Sequence, residues 1–170
     1  MIIAIDGPAA CGKGTIAKSI ASHYGFPHLD SGLLYRGVGK ATMDAGGLSD
    51  RDAAIAAAQA LDPARYSEEV LLTDEVAKAA SIVAAIPEVR SALLKLQRDF
   101  AAQKPGAVID GRDIGTVITP DADVKIFVTA TAEERARRAA HRLRGLKGAE
   151  TVVDEAAVLA DIRARDDRDM

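Results

Sequence analysis

Short, continuous apolar runs alternate with longer amphipathic stretches along this chain. The apolar runs cover residues 2–6, 26–30, 107–110 and 123–130, and their length is typical of buried strands. Helical spacing predicts helices over 15–24, 49–61, 73–85, 87–103, 131–144 and 153–168, and a further helix between Ser31 and Gly46. A strand, a glycine-rich loop and a helix in that order open many α/β folds, so the pattern predicts an α/β protein.

Polar and turn-forming residues predict where these elements begin and end. Ser31, Ser49 and Thr131 are expected to cap their helices at the N-terminus. The stretch 62–73 is the least regular, with a short hairpin expected around 70–72, and residues 145–150 are expected to form a loop.

Composition narrows the class of protein. A chain of 170 residues with 48% hydrophobic residues fits one domain with its own core. The net charge of −3 argues against a general nucleic-acid binder, and the single cysteine excludes an internal disulfide or a cysteine-rich metal site. The N-terminal sequence lacks the features of a signal peptide and no stretch is long enough to span a membrane, so we expect a cytoplasmic protein.

The strongest chemical signal is the segment GPAACGKGT, which matches the phosphate-loop pattern GxxxxGK between a strand and a helix. Glycines let backbone N–H groups surround phosphate oxygens, and the N-terminus of the next helix favours negative charge. Lys13 supplies a positive charge for the outer phosphates, and the Thr15 hydroxyl is expected to meet Mg²⁺ or phosphate. The expected ATP-binding residues are Gly7, Pro8, Ala9, Ala10, Cys11, Gly12, Lys13, Gly14 and Thr15.

Two residues of this loop need separate comment. Gly14 occupies the position at which the general pattern has Ser or Thr, and Thr15 follows it directly. Cys11 is interpreted as a small tolerated residue, and the alternative is a reactive thiolate favoured by the helix N-terminus and Lys13.

Three further segments follow the phosphate loop: DSGLLYR at 30–36, DGRDIGT at 110–116 and RDDRD at 165–169. Together with the loop they resemble the bacterial cytidylate kinases, which are P-loop nucleoside monophosphate kinases, over nearly the whole chain. The resemblance implies transfer of the γ-phosphate of ATP to CMP or dCMP, giving ADP and CDP or dCDP, in pyrimidine nucleotide metabolism. It also implies Mg²⁺ as the cofactor and a monomer. The net charge and the lack of a long apolar stretch lead us to expect no nucleic-acid or membrane partner.

The same resemblance implies a three-layer P-loop fold, in which helices flank a parallel sheet within one domain covering 1–170. The core is expected at about 1–30, 104–140 and 151–170, and the part that binds the acceptor nucleotide at about 31–103. A lid is expected at about 141–150, with a hinge in the loop 145–148.

The resemblance also implies an acceptor site. Its expected CMP-binding residues are Asp30, Ser31, Tyr35, Arg36, Ser81, Arg90, Arg112, Asp113, Arg165 and Asp169. Ser81, Arg90 and Asp113 are expected to read the base, since cytosine presents both a donor amine and acceptor atoms. By residue type alone, Tyr35 is equally well a core residue and Arg90 a solvated helix residue.

Positive charge around the transferring phosphate is expected from Lys13, Arg112, Arg138 and Arg142. The last two belong to an arginine-rich stretch that, taken alone, is typical of a solvated helix face. Asp110 ends a predicted strand and is expected to hold Mg²⁺ together with Thr15, the alternative being a turn-forming aspartate.

The histidines are given no role in this reaction. His23 and His28 are interpreted as packing or surface residues.

Two departures from the resemblance bear on activity. The segment 65–72 is short where a small sheet is expected, and the chain ends at Met170, before a further arginine, an edge strand and a closing helix. The C-terminal edge strand is therefore expected to be missing, and the 170-residue chain is expected to bind ATP with weakened turnover.

Alternative functions stay open at this level. The acceptor could be UMP, AMP, dTMP or a metabolite without a phosphate, or the chain could be an ATP-binding form with little turnover. A nucleic-acid-binding protein is disfavoured by the negative charge and the lack of aromatic platforms.

Overall fold

Within the part of the chain that the structure describes, four short strands form one parallel sheet. A computed structural model describes residues 1–147 and 152–169, with residues 146, 147, 168 and 169 described by their backbone only. The strands are β1 (Ile2–Asp6), β2 (His28–Asp30), β3 (Ala107–Gly111) and β4 (Val124–Phe127). Their order is β2-β3-β1-β4, and each neighbouring pair is parallel. The predicted parallel sheet is therefore confirmed.

Helices connect and cover these strands. They are α1 (Lys13–Tyr24), α2 (Ser31–Asp44), α3 (Arg51–Gln59), α4 (Glu68–Leu71), α5 (Asp74–Val83), α6 (Pro87–Ala101), α7 (Ala132–Lys147) and α8 (Glu155–Asp169). A π-helical turn, Ile114–Ile118, follows β3. No helix among residues 1–147 and 152–169 is long and apolar enough to cross a membrane.

The sheet is covered on both faces, because successive side chains of a strand point to opposite sides. Ile3 and Ile5 pack with Ala17 of α1 on one face. Ala4 packs with Ala101 of α6 on the other face. The structure thus has the three-layer α/β architecture that the sequence predicted.

A second core holds α2, α3, α5 and α6 together. Val38, Val83 and Leu93 are at most 1% exposed in this cluster. Helices α2 and α5 approach closely at Gly39, where a Cβ atom would lie 2.8 Å from the backbone nitrogen of Ala80. This cluster unites much of the segment 31–103, whose assignment to the acceptor nucleotide stays a prediction.

The ends of three adjacent strands bring functional segments to one edge of the sheet. Asp6 at the end of β1 is in register with Gly111, and Asp30 at the end of β2 is in register with Asp110. The phosphate loop follows β1, and α2 follows β2 directly. Ligands of open α/β sheets bind outside the carboxyl ends of the strands, so this edge is the place to look for a site.

Several predicted boundaries are corrected by the structure. The hairpin expected around 70–72 is wrong, because Glu68–Leu71 forms the helix α4. One apolar residue of this segment, Leu71, is 5% exposed, and a single helical turn is enough to bury it. The predicted strands 26–30 and 123–130 are shorter, and α7 continues to Lys147, past the residue at which a loop was predicted.

Aspartates take two cap positions that were predicted for serines. Asp30 caps α2 by accepting a hydrogen bond from the Gly32 N–H (2.8 Å), and Asp50 caps α3 by accepting one from the Ala53 N–H (3.0 Å). Asp and Ser cap helices about equally well, so residue type alone could not choose between neighbours. The predicted cap at Thr131 is confirmed, since its hydroxyl oxygen accepts a hydrogen bond from the Glu134 N–H (3.2 Å).

Asp6 fixes the π-helical turn, which the sequence did not predict. Its carboxylate oxygens accept hydrogen bonds from the backbone N–H groups of Ile114 and Gly115, each 2.8 Å long. The carboxylate is buried, and these charge-assisted bonds satisfy it where water cannot. The residues just before the turn, Arg112 and Asp113, are thereby held at the end of β3.

Asp6→Asn is expected to lower the free energy of unfolding by about 2 kcal/mol, because the amide group turns one acceptor into a donor that faces a backbone N–H. Asp50→Asn is the control, since asparagine caps helices as well as aspartate and the change should stay below about 0.5 kcal/mol. Urea unfolding measures both variants. Equal losses in the two would contradict the role given to Asp6.

Candidate active site

The phosphate loop connects β1 to α1 in a shape that its glycines permit. A Cβ atom on Gly7 would lie 2.1 Å from the Val128 carbonyl oxygen, so a larger residue does not fit there. Gly12 has a φ of 97°, in the left-handed region, and its carbonyl oxygen accepts hydrogen bonds from the N–H groups of Thr15 and Ile16. The loop therefore leads straight into the N-terminus of α1, where free N–H groups favour an anion.

Exposure varies along the loop. The buried members are Gly7, Ala9 and Cys11, the partly exposed ones are Pro8, Ala10, Gly12, Lys13 and Gly14, and Thr15 is exposed. Cys11 is 3% exposed, which fits its interpretation as a small packed residue.

Lys13 lies among charged residues from the ends of β2 and β3. Burial lowers the pKa of its amine below the usual value, and repulsion from Arg112 lowers the pKa further. Asp110 and Asp30 act in the opposite direction. The structure thus brings the loop lysine close to three other predicted site residues.

Arginines from α2, α7, α8 and the segment after β3 lie near one another, and one of them, Arg112, also lies near this lysine. Burial lowers the pKa of Arg36, and repulsion from Arg165 and Arg142 adds to the effect. Arg112 is exposed, yet desolvation by the surrounding protein lowers its pKa, followed by repulsion from Arg165. Cations that repel one another across a shared space form a site for an anion.

Arg36 also has a partner within the protein. Its Nη1 donates a hydrogen bond to the Leu71 carbonyl oxygen at 2.6 Å, so α4 helps to hold this guanidinium in place. The short segment that was expected to be a hairpin therefore contributes directly to the position of a predicted phosphate-binding residue.

The predicted base-reading residues Arg90 and Asp113 form an ion pair. Arg90 also lies over the ring of Tyr35, 5.9 Å from its centroid, and donates to the Ala84 carbonyl oxygen. Burial raises the pKa of the Tyr35 hydroxyl. Three predicted residues from α2, α6 and the segment after β3 therefore meet at one place.

Two side chains complete the description of this group. Ser81, the third predicted base reader, is half-buried on α5. Gln97 was not predicted; it is 1% exposed, its side-chain amide donates to the Leu93 carbonyl oxygen at 3.2 Å, and it lies near enough to the Tyr35 hydroxyl to lower the pKa of that group. The sequence signal for Gln97 is a polar residue at helical spacing from Val89 and Leu93, which are buried on the apolar face of α6.

Ser31 joins the segments that follow β2 and β3. It is 5% exposed at the start of α2. A Cβ atom on Gly111 would lie 2.4 Å from the Ser31 hydroxyl oxygen. The two segments DSGLLYR and DGRDIGT are thus in direct contact, and Gly111 allows that approach.

Asp110, the predicted metal ligand, is paired with a histidine. It is 1% exposed, and its Oδ1 lies 2.6 Å from His28 Nε2. His28, interpreted from sequence as a packing or surface residue, is thus partly buried and hydrogen-bonded to a predicted site residue. His28 and Asp30 lie two positions apart on β2, so their side chains share one face of the sheet. This spacing is the sequence signal that could have placed His28 near the predicted site.

Asp30 lies in the same group of charges. Burial raises the pKa of this carboxyl, and the neighbouring Asp110 raises it further, while Lys13 opposes both effects. The site therefore holds two neighbouring carboxylates with the amine of Lys13 close to them.

The arginine-rich helix α7 reaches the phosphate loop through a residue that the sequence analysis passed over. Arg135 is 5% exposed and forms a bidentate pair with Asp166 of α8, at 2.9 and 2.5 Å. Its Nη1 also donates to the Ala9 carbonyl oxygen at 3.3 Å. One guanidinium thus joins α7, α8 and the phosphate loop.

The two arginines predicted to be catalytic on this helix lie near the site in different ways. Arg138 donates to the Cys11 carbonyl oxygen at 3.1 Å and to Glu134 at 2.7 Å. Arg142 is exposed and close enough to Arg36 to lower its pKa.

Parts of the predicted lid and sugar site lie outside the described residues. These are residues 148–150 and the side chain of Asp169. The hinge predicted from residue 145 is corrected, because Gly145 belongs to α7.

Comparison with known proteins gives consistent matches. A model of the cytidylate kinase family matches residues 3–170. A cytidylate kinase of Afipia carboxidovorans is 59% identical over 99% of this chain and 80% of its own length. A cytidylate kinase of Methylocella silvestris is 61% identical over 99% of this chain and 77% of its own length.

One solved structure, of an uncharacterized protein from Eubacterium ventriosum, resembles this chain in fold. It has a TM-score of 0.50 at 22% identity and covers 99% of this chain and 73% of that one. At this identity the likeness shows the fold alone.

Asp166→Asn is expected to lower the free energy of unfolding by about 1–3 kcal/mol at pH 7, because Arg135 loses half of its bidentate partner. The hydrogen bonds from Arg135 hold the pKa of Asp166 below its usual value. Its stabilisation is therefore full above the unfolded pKa of about 3.9 and is lost as the pH falls through the lower folded-state pKa.

Urea unfolding of the wild type and this variant at several pH values checks the prediction. The difference between them should shrink below about pH 4. Asp99→Asn is the control, because its pair with Lys95 is exposed on both sides and should change stability by less than about 0.5 kcal/mol. A constant difference across the pH range would contradict the electrostatic origin.

Asp30→Asn is expected to stabilise the substrate-free protein by about 0.5–2 kcal/mol at pH 7, because asparagine keeps the cap but not the disfavoured charge. The raised pKa of Asp30 means that the wild type loses stability as the pH rises from the unfolded pKa of about 3.9 to the folded one. Thermal unfolding between pH 4 and pH 8 measures the gap. A lower melting temperature for the variant at pH 7 would contradict this account.

Proposed function

We propose that this chain, which belongs to the cytidylate kinase family, transfers the γ-phosphate of ATP to CMP and gives ADP and CDP. The observation that carries the proposal is a meeting of three groups at one edge of the sheet. These are a phosphate loop, a set of mutually repelling arginines, and the Arg90–Asp113 pair. The first two suit phosphates, and the pair offers both donors and acceptors to a base.

ATP binds with its phosphates in the loop 7–15. Support comes from the left-handed Gly12, the close approach of Gly7 to Val128 and the N-terminus of α1. Lys13 supplies the charge for the outer phosphates, and its pKa is lowered first by burial and then by repulsion from Arg112.

The phosphate of CMP binds among Arg36, Arg112 and Arg165. Arg165 repels both Arg36 and Arg112, and this repulsion is offset when the negatively charged phosphate of CMP binds between the guanidinium groups. The guanidinium groups can each bind two oxygens in a fork. Asp30 and Ser31 lie beside this group and, with Asp169, are proposed to contact the rest of the nucleotide.

Cytosine is read by Arg90, Asp113 and Ser81, with Tyr35 beneath the arginine. The arginine donates to acceptor atoms of the base, and the carboxylate accepts from its exocyclic amine. Such a site disfavours a base with the reversed pattern, because its own partly buried polar groups would then lack matching partners on the base. Both CMP and dCMP carry this base, so both are proposed acceptors.

Transfer needs no general base, since the attacking oxygen of CMP already belongs to an ionised phosphate. The protein contributes position and electrostatic stabilisation. Lys13 and Arg112 stabilise charge on the transferring phosphoryl group, and Arg138 and Arg142 of α7 approach it when the site closes. Closure excludes the water that would otherwise hydrolyse ATP.

Thr15 and Asp110 are the proposed contacts to Mg²⁺, which neutralises phosphate charge when it is bound. A hydroxyl and a carboxylate are oxygen donors of the kind that this ion prefers. Among the described residues, no group of three or more His, Cys, Asp or Glu side chains could hold a metal alone. This donor set fits an ion whose other ligands are phosphates and water.

The chain is proposed to act as a monomer in the cytoplasm, without a nucleic-acid partner. The net charge of −3 supports the last point.

The first test is ADP release from Mg·ATP with CMP, dCMP, UMP, AMP and dTMP as acceptors, using the 170-residue chain. Turnover should be fastest with CMP or dCMP. Preference for AMP or dTMP would contradict the base-reading assignment. ATP binding without turnover on any acceptor would favour an ATP-binding form instead.

Asp113→Asn is expected to reduce kcat/KM for CMP by about 100-fold or more, because the amide group cannot both pair with Arg90 and accept from the base. The KM for ATP should change by less than about threefold, since the donor site lies elsewhere. Steady-state kinetics with each substrate varied in turn measures both. Asp99→Asn, on the exposed face of α6, is the matched control, and a CMP response equal to the control would contradict the assignment.

A further inference from the structure

His28, Asp30 and Asp110 occupy one small area on one face of the sheet. Asp30 and Asp110 are in register on the neighbouring strands β2 and β3, and His28 is two residues before Asp30. His28 Nε2 lies 2.6 Å from Asp110 Oδ1. The side chain of Asp110 is 2% exposed and that of His28 15% exposed, so both groups of this hydrogen bond are largely sheltered from water.

The hydrogen bond meets a definite electrostatic need. Asp110 faces a second carboxylate, Asp30, and water has little access to it. A buried carboxylate requires hydrogen-bond donors, and an unpaired one is strongly disfavoured. A donor on Oδ1 also fixes the rotation of the carboxylate, because one of its two oxygens is then committed.

We propose that His28 is a positioning residue for the metal-side carboxylate: it donates Nε2–H to Asp110 Oδ1 and so presents Oδ2 to the hydrated Mg²⁺ of Mg·ATP. This inference rests on the proposed function, since it assigns Asp110 to that ion. Partners that orient a metal-binding side chain in this way commonly change metal affinity about 10- to 100-fold when they are removed.

The competing explanation is purely structural. β2 is an edge strand of the sheet, and the bond from His28 to Asp110 could serve only to fasten it to β3. Both explanations predict lower stability when the donor is lost. Only the positioning role predicts weaker metal binding in the folded protein, so metal binding must be measured directly.

Three variants separate the explanations. His28→Leu removes the donor, and the adjoining cavity of about 230 Å³, which also borders Lys18 and Tyr66, gives the new side chain room. His28→Gln keeps an N–H donor at similar reach. His23→Leu is the matched control, since His23 is exposed on α1 with its ring 4.9 Å from that of Tyr24.

The readout is the affinity for Mn²⁺ in the presence of ADP, measured by electron paramagnetic resonance of the free ion, together with the melting temperature. His28→Leu should weaken Mn²⁺ binding by about 10-fold or more, whereas His28→Gln and His23→Leu should stay within about threefold of the wild type. Unchanged Mn²⁺ affinity in folded His28→Leu would overturn the proposal, whatever its melting temperature. Equal weakening in His28→Leu and His28→Gln would overturn it too.

A second measurement keeps the test valid if His28→Leu does not fold. Long-range ¹H–¹⁵N spectra of the imidazole rings report which nitrogen carries the proton, and the proposal requires a proton on Nε2 of His28. A ring protonated only on Nδ1 would overturn it. His28→Asn, whose shorter amide does not reach as far, then replaces the leucine variant and should weaken Mn²⁺ binding similarly.

These results are distinguishable from failure of the proposed function. Mn²⁺ and ADP binding needs no acceptor, so it can be measured even if the chain transfers no phosphate to CMP. Absence of transfer with a clear Mn²⁺ difference between the variants would refute the CMP kinase assignment and support the role of His28.

Discussion

The concentration of charge at the carboxyl edge of the sheet constrains everything else in this structure. Lys13 lies near Arg112 there, Arg36 lies near Arg165, and Asp30 lies near Asp110. Charges in such a place interact more strongly than in water, because the surrounding medium is less polarisable. The parallel pairing of β1, β2 and β3 makes the crowding unavoidable, since it ends all three strands at the same side. Fixed hydrogen-bond partners stabilise charges at this edge: backbone N–H groups bind Asp6, and a histidine binds Asp110.

Much of the fold could be predicted from sequence because local signals agreed with tertiary packing. The run 2–6, the loop that follows it and α1 are specified by neighbouring residues, and the structure places them as expected. The π-helical turn escaped prediction because it depends on Asp6, which lies more than a hundred positions earlier in the chain. Helix α4 escaped because a four-residue segment carries too little periodicity to separate one helical turn from a hairpin.

The site could be predicted as a set of residues but not as a set of partners. The structure brings Tyr35, Arg90 and Asp113 together, as the resemblance implied, while their roles stay proposals. Arg135 was not distinguished from the other arginines of α7, because residue type says nothing about which member of a charged helix faces inward. Its partner Asp166 comes from another helix, and only the packing of α7 on α8 selects the pair.

The Arg135–Asp166 pair joins the proposed ATP and CMP regions. Arg135 donates to the Ala9 carbonyl oxygen of the phosphate loop, and Asp166 is adjacent in sequence to Arg165, one of the proposed CMP-binding residues. The link between the two proposed regions therefore runs through direct contacts of α7 and α8 rather than through the sheet.

The absence of a side chain at Gly39 has a mechanical consequence. Helices α2 and α5 touch there through backbone atoms, so a side chain at this position would push them apart. Such a substitution would shift Tyr35 and Arg36 on the first helix relative to Ser81 on the second, although the substituted residue itself belongs to neither group.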